Sequence, residues 1–159
     1  MDVYHLPRFL RLLFSSVLLL GTCIPACLAP ETAPEPPLGQ RDALAEVYLN
    51  KKLAVWQHRL ALDDWTISMI VSPSRELRKG TLGNIKWDET KKSAVIRVLD
   101  AAEYDTPYRA ALKDMEFTVV HELVHLELVS LPRSEASRGD EEHTVNRLAD
   151  ALLHLERND

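Results

Sequence analysis

Between Arg41 and about Leu62, apolar residues recur at Leu44, Val47, Tyr48, Leu53, Val55, Trp56, Leu60 and Leu62, with no internal glycine or proline. That spacing predicts an amphipathic helix. From Trp65 to Val71 the pattern changes to strict alternation, with Trp65, Ile67, Met69 and Val71 sharing one face, as a half-buried strand requires. Two further short strands are expected at Leu82–Trp87 and Ala94–Leu99, joined by the polar turn Asp88-Glu89-Thr90-Lys91-Lys92. Thr106-Pro107 opens a helix, because proline at the first helical position loses no needed hydrogen bond. Asp114 is expected to cap the next helix, running to about Ser130 with Pro132 just beyond. A last helix is expected from Asp140 to about Arg157, after a loop marked by Gly139, with Val145, Leu148, Leu152 and Leu155 as its apolar face. A helix, three strands and then helices imply an α+β domain, with helices packed on a small, mostly antiparallel sheet.

The first thirty residues follow another pattern. Arg8 and Arg11 precede an apolar stretch, Leu12 to Leu20, which gives way to small residues. Basic, then apolar, then small is the layout of a secretory signal, and the stretch is shorter than the roughly 20 residues a membrane-spanning helix needs. Ile24-Pro25-Ala26-Cys27 resembles the lipobox of bacterial lipoproteins, in which the cysteine becomes the lipidated first residue. The other reading is a soluble exported protein cut nearby, with Cys23 and Cys27 discarded. Residues 30–40 (PETAPEPPLGQ) are proline-rich and read as a semi-extended spacer. The expected organisation is therefore a signal peptide over 1–27, a linker over 28–40 and one folded domain over 41–159. It implies a periplasmic or cell-envelope location, with attachment to the membrane through Cys27 as one form of it.

Composition narrows the function classes. The chain has 159 residues, which suits one domain. Its net charge of −5 carries no basic stripe of the kind a nucleic-acid binder needs. Both cysteines lie in the N-terminal segment, so a disulfide scaffold or cysteine zinc site in the folded body is excluded.

The chemistry concentrates at His121-Glu122-Leu123-Val124-His125, an H-E-x-x-H pattern within an expected helix. Four residues make one helical turn plus about 40°, so His121 and His125 project from one face and can converge on one zinc ion. Glu122 points about 100° away, too far to be a ligand. Its arm can still reach a water on the metal and accept its proton. The surrounding Val119, Val120, Leu123, Val124 and Leu126 predict burial, where two imidazoles and a carboxylate must find partners.

A hydrolytic zinc site needs a third protein ligand and an open position. Glu141 and Glu142, at the start of the last helix, both lie near its buried face. Glu142 has Asn146 one turn later, an amide able to orient a ligand, whereas Glu141 has Val145 there. That favours Glu142. His143 is the other candidate, expected to face solvent.

HELVH together with a later E-x-x-x-N helix resembles the zincin metallopeptidases of the gluzincin type. Glu142-His143-Thr144-Val145-Asn146-Arg147-Leu148-Ala149 is similar to the E-x-x-A-N-x-F-A helix of small bacterial and phage-related peptidases, including the family that cleaves phage repressors. The resemblance spans about Asp114 to Leu153. It implies a minimal zincin-like fold, His121, His125 and Glu142 as metal ligands, Glu122 as general base, and a peptide or protein substrate. It also implies a substrate-holding strand edge, for which Ala94–Leu99 is the candidate. Two positions depart from the pattern. Asn146 stands where gluzincins usually carry aspartate, and Glu127 stands where an apolar residue is preferred.

The sequence thus leads to an exported zinc-dependent peptidase. Its main rival is an envelope-anchored binding or assembly protein with a structural zinc closed by a fourth ligand, His143 or Glu141. A DNA-linked SprT-like protease shares the histidine pattern but fits neither the acidic balance nor the export signal. Tyr104 and Tyr108 are candidates for an oxyanion donor, although packing roles are the simpler expectation. Trp65 and Trp87 are expected as core anchors, and His58 and His154 as surface histidines.

Overall fold

The computed structural model describes residues 34–131 and 138–156. The expected signal peptide, the lipobox cysteine and residues 28–33 of the expected linker lie outside the described residues. No helix among the described residues is long and apolar enough to cross a membrane.

The first helix, α1 (Leu38–Arg59), begins within the expected linker and buries Ala45, Leu49, Leu53 and Trp56. The inward stripe is offset from the one the large apolar residues suggest: Leu44, Val47 and Val55 are exposed. Trp56 fixes the rotation, because its indole Nε1 donates to Glu116 Oε1 at 3.0 Å inside the core. The helix ends in a Schellman turn. Ala61 N–H donates to the His58 carbonyl and Leu62 N–H to that of Gln57, with Ala61 in the left-handed region at φ 54°. Gln57 Nε2 then donates to the carbonyls of Leu62 and Trp65, aiming the chain into the first strand.

The strands β1 (Thr66–Ser72), β2 (Gly83–Asp88) and β3 (Ser93–Leu99) form a sheet of order β1-β3-β2. The α+β class and the element order are as the pattern predicts, but the sheet is mixed: β2 pairs antiparallel to β3, while β1 pairs parallel to it. The reason is topological. The β2–β3 hairpin is tight, and β3 takes the slot beside β1. This also corrects the expected substrate edge. Both sides of β3 are paired, so Ala94–Leu99 has no edge to offer, whereas β2 lies at the margin of the sheet. On β3, Ala94, Ile96 and Val98 are buried toward the helices.

A single helix, α2 (Tyr108–Glu127), replaces the two that Thr106-Pro107 and Asp114 suggest. Asp114 is an exposed mid-helix residue whose carbonyl accepts the Thr118 hydroxyl proton at 3.0 Å. Nothing between Tyr108 and Glu127 interrupts the helix, since the segment holds neither proline nor glycine. Its N-terminus is capped from a distance: Tyr108 N–H donates to Glu35 Oε2 at 2.8 Å. Facing α1, the buried Glu116 accepts from Trp56, from Tyr48 O–H and from Lys52 Nζ at 2.9 Å. Three donors satisfy a carboxylate that burial would otherwise penalise heavily. Burial alone raises its pKa, but these donors outweigh it and the net shift is downward.

The last helix, α3 (Arg138–Glu156), incorporates Gly139 and buries Val145, Ala149 and Leu153; of the expected face Val145 and, in part, Leu152 turn inward, whereas Leu148 and Leu155 are exposed. Lys52 Nζ to Glu156 Oε1, 3.0 Å, ties its end to α1.

Candidate metal centre

On α2, His121 and His125 lie one turn apart with their Nε2 atoms 3.1 Å from each other. Glu142 reaches across from the first turns of α3: Oε2 lies 3.4 Å from His121 Nε2 and Oε1 lies 3.4 Å from His125 Nε2. His121, His125 and Glu142 thus form a group that could hold a metal ion, with one ligand atom from each within 4.8 Å of the others. The two imidazoles are largely buried and Glu142 is half exposed.

The outward nitrogens are held as well. His121 Nδ1 lies 3.1 Å from Asn146 Oδ1, and His125 Nδ1 lies 3.1 Å from Glu141 Oε1. Such partners fix the ring and keep the proton on Nδ1, leaving the Nε2 lone pair for a metal. Asn146, expected to orient a ligand, meets His121. Glu141, the alternative ligand, sits against the far side of His125. His143 is exposed and outside the group. Burial, followed by the neighbouring His125, lowers the pKa of His121 and favours the neutral, metal-competent ring.

Glu122 is buried with 7% exposure, one residue along from His121 and outside the ligand group. Burial first and the charge of Glu142 second push its pKa up to about 7. A carboxylate so placed exchanges a proton near neutrality, as a general base must. The start of β2 runs against it. A Cβ built on Gly83 would lie 3.6 Å from Glu122 Oε1, would overlap Thr118 Cγ2, and would sit 2.7 Å from the Arg97 carbonyl oxygen. Only glycine allows this approach, and a glycine within a strand pattern is the one sequence signal that could have flagged it.

The group opens into a cleft of about 780 Å³ with α2 and α3 on one wall and the segment from Arg78 through β2 on the other. Every residue of β2 from Gly83 to Trp87 lines it. Successive side chains of a strand point to opposite faces, so a continuous run of lining residues means that the strand presents its edge. Trp87 is 37% exposed at this wall, not a core anchor, whereas Trp65 is buried as expected. Tyr104 and Tyr108 do not line the cleft. Tyr104 packs against the core, and the Tyr108 hydroxyl donates to the Arg41 carbonyl. His58 and His154 are exposed and remote from the group.

No protein-family model matches the chain, and neither a curated protein nor a solved structure shows significant similarity to it.

Proposed function

We propose that the protein is a zinc-dependent peptidase of the gluzincin type, with His121, His125 and Glu142 as ligands and Glu122 as general base. One observation carries the reading: two Nε2 atoms and a carboxylate converge, 3.1–3.4 Å apart, at the floor of an open cleft beside a buried carboxylate outside the ligand set. Ligands about 2.0–2.1 Å from a tetrahedral zinc are about 3.3–3.4 Å from one another, so the donor set and its spacing fit that ion. Bound there, zinc supplies a Lewis acid and lowers the pKa of a water toward neutrality.

The chain's own residues supply the remainder. Glu122 accepts a proton from the attacking water and delivers it to the departing amine nitrogen. Its burial raises its affinity for that proton, which supports the role. The free edge of β2 offers main-chain hydrogen bonds to an extended substrate by strand addition, the role first assigned to Ala94–Leu99. Asn146 and Glu141 hold the two imidazoles in register. Glu141, the alternative fourth ligand of a closed structural site, is turned to His125 Nδ1, which favours a catalytic over a purely structural metal. The basic, apolar and small-residue order of the N-terminal sequence supports an exported, envelope-located form of this activity.

The test is metal content by mass spectrometry together with chelator-sensitive cleavage of a peptide library by the full-length protein. Glu122→Gln is expected to keep about one zinc per chain and lose turnover by a factor of about 10² or more. Parent-like cleavage by that variant removes Glu122 as the base, and absence of stoichiometric zinc from the parent removes the reading altogether.

A further inference from the structure

The two walls of the cleft carry opposite charge. Among the described residues, the acidic ones that line it, Glu122, Glu141 and Glu142, come from α2 or α3 and cluster about the candidate metal group. The β2 wall contributes no carboxylate. It contributes Arg78 at one end and Lys86 toward the other, and neither forms an ion pair among the described residues. Leu82 and Trp87 stand on the same wall at 47% and 37% exposure. This cationic, apolar margin belongs to a chain whose net charge is −5. The concentration of positive charge is therefore local to the surface on which an added strand would lie.

Resting on the peptidase reading, we infer that the preferred substrate is an extended acidic segment. It places apolar side chains against Leu82 and Trp87, and carboxylates within reach of Arg78 and Lys86. Three features of the wall act on different parts of such a ligand. The β2 edge hydrogen-bonds its backbone without regard to sequence. The apolar residues take alternate side chains, and the two cations select the sign of the flanking charge. A basic segment meets like charge at both ends, and that repulsion discriminates as strongly as the attraction. The carboxylates opposite are engaged elsewhere: Glu142 is turned to the two imidazoles, Glu141 to His125 Nδ1, and Glu122 is buried.

The experiment uses three fluorogenic peptides with one common apolar centre flanked by Glu, Gln or Lys. Cleavage is measured with the full-length zinc-loaded protein, and binding by fluorescence anisotropy with its Glu122→Gln variant. The Glu-flanked peptide is expected to exceed the Lys-flanked one by about tenfold in kcat/KM and in affinity at low ionic strength. The ratio should shrink as salt screens the exposed charges. Arg78→Glu with Lys86→Glu should invert the order, and Arg78→Gln with Lys86→Gln should flatten it, with unchanged circular dichroism showing that the fold persists. Chelator-sensitive cleavage with no charge preference, or binding that is absent or indifferent to charge, overturns the inference. Charge-selective binding without any cleavage overturns the peptidase reading and leaves an acidic-peptide binding cleft.

Discussion

His125 turns its Nε2 toward His121 and Glu142 while its Nδ1 meets Glu141 Oε1 at 3.1 Å, so the residue immediately before one candidate ligand orients another. The histidine pairing is asymmetric, with a carboxylate behind His125 and a neutral amide behind His121. Glu141→Ala is expected to weaken zinc binding by about 10- to 100-fold, measured by competition with a chromophoric chelator. Glu141→Gln, which keeps an oxygen facing Nδ1, should retain most of the affinity. Parent-like affinity in the alanine variant removes the orienting role.

Gly83 is the point at which the strand wall touches α2. Gly83→Ala drives a methyl group into Thr118 and against the Arg97 carbonyl oxygen, so β2 must shift. We expect a loss of about 1–3 kcal/mol in stability. Turnover should fall more than metal affinity, because the histidines lie beyond the displaced strand. Urea unfolding within about 0.5 kcal/mol of the parent would show that the approach relaxes without cost.

The carboxylate pair Asp42 and Asp100 is expected to give an acid-side pH dependence. Burial first, then the hydrogen bond and like charge of Asp100, push the Asp42 pKa up from 3.8 to about 6. The folded state therefore holds this proton more tightly than the unfolded chain. The associated stability is fully present below 3.8 and is lost as pH rises through about 6. Asp42→Asn keeps a side chain able to bond Asp100 and removes the titration. Its urea midpoint should decline less than the parent's between about pH 4 and 6 and exceed the parent's at neutrality. An unchanged difference between the two pH values would assign the dependence to another group.

Ala61 holds the left-handed position that closes α1. An L-residue there costs about 1–2 kcal/mol relative to its ordinary conformation. Ala61 is exposed, so its methyl group contributes little packing. Ala61→Gly should stabilise the protein by about 0.5–1 kcal/mol, read as a higher thermal midpoint. A lower midpoint would show that the unfolded-state entropy of glycine prevails.

What was legible in the sequence was what local geometry alone determines. The i, i+4 spacing puts His121 and His125 on one face wherever the helix docks, alternation identified the first strand, and the polar turn Asp88–Lys92 set off the other two. Strand order was not legible, because a hairpin's local pattern does not say which of its two strands a third will join; tertiary pairing makes β3 central. The faces of α1 and α3 were misjudged for a related reason. Ala45 and Ala149 carry little hydrophobic signal, yet their small size places them at buried contacts while Leu44 and Leu148 remain outside. Glu141 and Glu142 differ by 100° around the helix axis, and the docking of α3 assigns one to the ligand group and its neighbour to His125. Arg78 and Lys86 became a pair of interest only when the sheet set them on one wall.

The ligand group draws two members from α2 and one from α3. A cation held by all three staples the start of the last helix to the body of the domain. Metal loading and the seating of that helix are then linked by mass action, and free metal at a hundred times its dissociation constant would add about 2.7 kcal/mol to folding. A cell starved of the ion would hold this chain with its final helix breathing, detectable as faster amide exchange around Val145 and as easier nicking by added proteases. Abundance as well as turnover would follow the metal supply.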